Sequence, residues 1–170
     1  MTDLLIRFKK NKDGSAALTC VRRDGSATWQ RQNGKLGAVF PPHDLTHYSV
    51  ETTLGYDHAF FGLIADGWEI SDFAAASRPA PLTNESLEVE IFVGAFDLER
   101  RTGQVSSADE FNAQARFVAG RNGGRFVPRP LTEEDLTRVR ETSANVFAKW
   151  AAVEPGGTLE LPFARGVSAS

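Results

Sequence analysis

Apolar and polar residues alternate from the start of the chain. In "LLIRFKK" the side chains of Leu4, Ile6 and Phe8 fall on one face of an extended strand, and Leu5, Arg7 and Lys9 on the other. The motif "KDGSA" (12–16) returns eleven residues later as "RDGSA" (23–27). Asp-Gly marks a hairpin turn, because glycine accepts the positive φ that such turns demand. Two such turns join three runs, about 3–11, 15–23 and 26–33, and predict an antiparallel meander.

The period changes from Asp44 onward. "DLTHYSVETTLG" predicts a helix of about three turns that ends at Gly55. "AFFGLIADGWEISDF" predicts a second helix, weakened by Gly62 and Gly67, with Phe60, Phe61, Leu63, Ile64 and Trp68 facing the core. "ASRPAPLTN" (76–84) reads as a loop. Residues 84–101 carry two patterns at once. Leu87, Val89, Ile91 and Val93 alternate as in a strand, while Leu87, Ile91, Ala95 and Leu98 follow a helical face; length and the charged end favour a helix.

Two capping boxes follow, at Ser107 with Glu110 and at Thr132 with Asp135. The first precedes Phe111, Ala115 and Val118; the second precedes the stripe Leu136, Val139, Val146 and Trp150. "TLELPF" (158–163) predicts a last strand that returns to the N-terminal sheet. The expected fold is therefore α+β: a three-stranded antiparallel meander plus a C-terminal strand, covered by four to five helices. One domain over 1–163 with a frayed polar tail over 164–170 accounts for the whole chain.

Composition adds few constraints. A length of 170 residues with 41% hydrophobic residues suffices for a core without staples. The lone Cys20 rules out an intramolecular disulfide, and its place in the middle strand predicts a buried, inert thiol. No apolar run has the length of a signal peptide core or a membrane span, so the expected location is cytoplasmic, with no membrane partner. The net charge of −3 divides unevenly: residues 1–40 are basic, with eight Lys/Arg against three Asp/Glu, whereas residues 41–110 carry three against thirteen. A basic sheet and acidic helices packed together offset each other.

Candidate chemistry concentrates in "PPHDLTHYSVETTLGYDH" (41–58). It holds all three histidines, His43, His47 and His58, together with Asp44, Glu51 and Asp57. On a helix His43, His47 and Glu51 stand at i, i+4 and i+8 on one face. Two imidazoles one turn apart can ligate one metal ion. "HDLTH" resembles the H-E-x-x-H signature of zincin metalloproteases over these five residues, with Asp44 in the place of the glutamate that acts as base. Aspartate is one methylene shorter, and no third-ligand motif of a zincin follows.

Residues eight apart on a helix lie about 12 Å apart along its axis, so Glu51 and His43 do not readily share an ion. The pair is then His43 with His47, or His47 with Glu51, and His58 is the nearest further donor, with Asp57 its alternative. The candidate metal ligands are His43, His47, Glu51 and His58, with Asp44 as a candidate catalytic group and a divalent metal such as zinc as the cofactor. A second arrangement is open. If Asp44 is an N-cap after Pro41 and Pro42, His43 lies outside the helix and the pair with His47 does not exist.

The surrounding stretch, over about 42–67, resembles a segment of a family of small uncharacterised bacterial proteins, with D-x-x-H, then V-E, then L-G, then F-x-G-x-I/L-A. The resemblance implies a bacterial cytoplasmic protein and a site around Asp44, His47 and Glu51; it supplies no activity.

Other patterns carry less. Arg7, Lys9, Lys10, Lys12, Arg22, Arg23 and Arg31 stand beside Trp29 in the meander, as phosphate contacts and a stacking platform would require. No RNA-binding motif accompanies them, and the pI of about 5.6 argues against nucleic acid. "GRNGGR" (120–125) has amides and arginines for an anion but lacks Walker A spacing. No serine lies in a nucleophile motif. The sequence therefore favours a cytoplasmic protein with a polar, metal-binding site within 43–58. The alternative is a non-enzymatic interaction module that uses its charged faces. The pattern names no reaction, and leaves a homo-oligomer open.

Overall fold

The computed structural model of the chain describes residues 1–74, 78–124 and 126–166, and of residues 36–38 the backbone alone. Strands β1 (Leu4–Lys10), β2 (Ala16–Arg22) and β3 (Ala27–Gln32) form the meander. Strand β4 (Thr158–Phe163) joins its far edge, giving an antiparallel sheet of order β3-β2-β1-β4. The helices are α1 (Leu36–Leu54), α2 (Phe60–Ala65), α3 (Asn84–Thr102), α4 (Ala108–Arg121) and α5 (Glu133–Ala151), with a 3₁₀ turn at Ile70–Ala74. This is the expected α+β fold. Among the described residues no helix is long and apolar enough to cross a membrane.

Both hairpins are made by one device. Asp13 Oδ1 accepts from the Ser15 amide and hydroxyl, and Asp24 Oδ1 accepts from the same groups of Ser26. The glycine between them takes the left-handed conformation, with φ of 82° at Gly14 and 87° at Gly25. The register places Ile6 between Cys20 and Leu161 on one face. That face, with Leu4, Phe8, Leu18 and Phe163, packs on α1, α2 and α5. On the opposite face Trp29 is 69% exposed, Arg7 pairs with Glu160, and Arg31 pairs with Asp13.

Helix α1 departs from expectation. It begins at Leu36 rather than at Asp44, and Pro41 and Pro42 lie inside it. Proline fixes φ at a helical value and forfeits an amide donor. The Thr46 hydroxyl oxygen lies 2.9 Å from the Pro42 carbonyl, the contact a helical threonine makes one turn back. Asp44 is consequently not an N-cap; it is buried in mid-helix. The end of α1 follows expectation, at Gly55 with φ 73° and its amide on the Glu51 carbonyl.

Helix α1 is central. Val50 belongs to a core shared with α3, α4 and α5, and Leu45 belongs to the core under the sheet. A helix buried on more than one side must satisfy its polar groups internally, and α1 buries Asp44, Thr46, His47, Ser49 and Glu51.

The segment read as one second helix is α2 followed by the 3₁₀ turn, with a left-handed Gly67 between them. Residues 84–101 are helical, within α3, capped by Thr83. Both capping boxes are present, on α4 and α5. Leu136, Val139 and Val146 are buried, while Trp150 is half-buried against Phe8 beneath the Lys10 ammonium. In the tail, Arg165 and Gly166 donate amides to Asp3 and Asp57. Residues 167–170 of the expected frayed segment, and Arg125 of "GRNGGR", lie outside the described residues.

Candidate metal centre

Because α1 starts early, His43 and His47 share one helical face, with ring centroids 4.9 Å apart and edge to face. Helix α3 runs antiparallel beside them and brings two carboxylates. Asp97 Oδ2 lies 2.8 Å from His43 Nδ1. Glu90 Oε1 lies 3.2 Å from His47 Nε2. The remaining nitrogen of His47, Nδ1, lies 3.3 Å from Glu51 Oε1.

His43, His47 and Glu90 each offer a ligand atom, and these atoms lie within 4.8 Å of one another. The cluster can hold a metal ion. Glu90 is half exposed and free to close on an ion, whereas His47 is buried. Asp97 engages Nδ1 of His43, and Glu51 engages Nδ1 of His47, so the nitrogen left to a ligand is Nε2 in each ring. Such outer carboxylates fix tautomer and orientation in metal sites.

Those carboxylates are themselves held. Asp97 Oδ1 accepts from the Thr46 hydroxyl at 2.8 Å. Glu51 Oε2 accepts from the Phe61 amide at 2.9 Å. The N-cap of α2, Ala59, has no capping side chain, so Glu51 satisfies an orphan amide at that helix start from a different element. One buried carboxylate therefore positions both an imidazole and a helix.

The electrostatics follow from this arrangement. Burial opposes a charge on His47, but Glu51 and Glu90 on its two nitrogens outweigh it and push its pKa up to about 10. Burial raises Glu51, in part offset by its bonds to His47 and to the Phe61 amide. Glu90 and Asp97 are lowered, because their imidazole partners outweigh desolvation. The two carboxylates on His47, Glu51 and Glu90, thus favour the protonated form of its imidazole.

The other candidates from the sequence lie elsewhere. Asp44 points to β3, where its Oδ2 accepts from Gln32 Nε2 at 2.8 Å. Burial pushes its pKa up to about 6, against that bond and the nearby imidazoles. Gln32 Oε1 has no partner among the described residues. His58 is exposed and stands 3.3 Å from Asp66. Asp57 accepts from the Gly166 amide. Cys20 is buried, and desolvation drives its thiol pKa far up.

Sequence reasoning did not find Glu90 and Asp97. They stand seven positions apart, two turns of one helix face, and their partners are one turn apart on α1. The match becomes visible only once α1 and α3 are known to be antiparallel neighbours. Compared with known proteins, the chain matches no family model, and no curated protein or solved structure matches it either.

Proposed function

We propose that this protein binds one divalent transition-metal ion through His43 Nε2, His47 Nε2 and a Glu90 carboxylate oxygen. The observation that carries the reading is the Nδ1 side of the site. Each imidazole has its own anchored carboxylate at Nδ1, the outer arrangement that fixes tautomer and orientation in metal-bound histidines, and His43, His47 and Glu90 present ligand atoms within 4.8 Å of one another. Two imidazoles and one carboxylate suit zinc, and also the facial triad that holds iron(II) with open positions. Asp97 and Glu51 act as orienting groups in this reading, and His58 takes no part.

The charged sheet face competes less well as a binding surface. Arg7 and Arg31 are already paired with Glu160 and Asp13, which offsets two of the cations on the face that carries Trp29.

The test is a titration of tag-free protein with zinc, manganese, nickel and iron(II), read by calorimetry and by metal analysis after gel filtration. Uptake of one equivalent of at least one metal is expected, with loss in His47→Ala and weakening by about tenfold or more in Glu90→Gln. Equal uptake by wild type and His47→Ala, or no stoichiometric uptake of any of the four, would refute the reading.

A further inference from the structure

We propose that the pocket between α1, α3 and α5 binds a small apolar monoanion, its body against Phe96, Val105 and Phe147 and its charge at Arg100. This site is separate from the metal centre and needs no ion.

The pocket encloses about 370 Å³, within the range of small-molecule sites. Its lining includes Thr46 of α1, Phe96 and Gly103 of α3, Ser143 and Phe147 of α5, and Val105 in the loop between α3 and α4. Val105 is 68% exposed, yet its loop is pinned at the next residue. The Ser106 amide donates to Glu99 Oε1 at 3.0 Å, and the Ser106 carbonyl accepts from Arg140 Nη2 at 2.8 Å. An uncovered apolar side chain is thus held at the pocket rim, so the wall exists before any ligand arrives.

The charges select the ligand. Among the described lining residues they are Glu99, Arg100 and Arg140. Arg140 and Glu99 form a two-point ion pair, Nε to Oε2 at 3.0 Å and Nη2 to Oε1 at 2.8 Å, and offset each other. Arg100 is left over. It reaches Asp97 only at 3.4 Å, and both Asp97 oxygens are already engaged at 2.8 Å, by His43 Nδ1 and the Thr46 hydroxyl. The Arg100 guanidinium lies 5.6 Å from the centre of the Phe147 ring, so the surplus cation adjoins the apolar wall. One negative charge on an apolar body meets both features. A neutral ligand leaves Arg100 without a partner, and a small inorganic anion leaves the rings uncovered.

The experiment titrates metal-free, tag-free, ¹⁵N-labelled protein with octanoate, octanol and acetate, and follows the amide resonances. Octanoate should give saturable shifts at Gly103, Val105 and Ser143, with affinity about fivefold or more above that of octanol, and acetate should not saturate. Arg100→Gln should bring octanoate down to the affinity of octanol. Val105→Asp, a change at an exposed position, should weaken octanoate about tenfold by setting a like charge at the rim. Octanoate shifts absent or scattered over the surface, equal affinity for octanoate and octanol, or unchanged octanoate affinity in either variant would each overturn the proposal. With no ion present, none of these outcomes bears on the metal reading.

Discussion

Glu51 and Asp44 are both buried carboxylates of α1, and they answer to different partners. Glu51 meets an imidazole and an amide, so removing it strands a buried cation and an orphan donor. Glu51→Ala should cost about 3–5 kcal/mol in chemical denaturation, and Glu51→Gln distinctly less, because the amide oxygen still accepts from Phe61. Asp44 meets only a neutral amide, and burial holds its pKa near 6 against an ordinary 3.8. Between these values the native state retains a proton that the unfolded chain has released, so stability falls as pH rises through that window. Asp44→Asn in the metal-free protein should remove that decline and leave the variant more stable than wild type at pH 7, by on the order of 2–3 kcal/mol. A denaturation series from pH 4 to pH 7 measures it; parallel curves for the two proteins would contradict the assignment.

Elements whose causes are local were legible in the sequence. The Asp-Gly-Ser turns, the two capping boxes and the Gly55 terminus each need only a few consecutive residues. Gly14→Val and Gly25→Val should each cost about 1 kcal/mol or more, from the left-handed φ alone. Gly62→Ala should be worse than either in the same assay, since the Asp57 carbonyl oxygen stands 2.0 Å from where its Cβ would lie. The start of α1 was not legible. Pro41 and Pro42 read as a boundary, yet proline's φ suits a helix, and burial of the Leu45 and Val50 sides extends α1 through them. The reading of Asp44 as a cap failed for that reason. Where the sequence offered Asp44 two roles, cap or site carboxylate, the fold gives it a third, on Gln32.

At the scale of the molecule, half of the candidate centre was visible and half was not. The i, i+4 imidazoles lie in one stretch of chain, but His43 and Asp97 are 54 positions apart, and periodicity carries no record of which helices become neighbours. Metal binding to the native state alone should stabilise the fold, by about 2.7 kcal/mol at a free concentration one hundred times Kd. A rise in Tm with zinc that vanishes in His47→Ala would show this. The rise should shrink as pH falls from about 10 toward 6, since His47 holds its proton more fully and the ion must displace it.

The bond from Glu51 to the Phe61 amide has a consequence for observation. In the proposed site that single N–H would report on a bound ion from the far side of the imidazole, without touching it. Displacing the His47 proton changes the charge that Glu51 faces, and the altered carboxylate is felt at the first turn of α2. The Phe61 amide resonance should therefore shift on metal addition, and its deuterium exchange should slow. An isotope-edited spectrum recorded with and without zinc reads both at once, in a protein that needs no added label near the site.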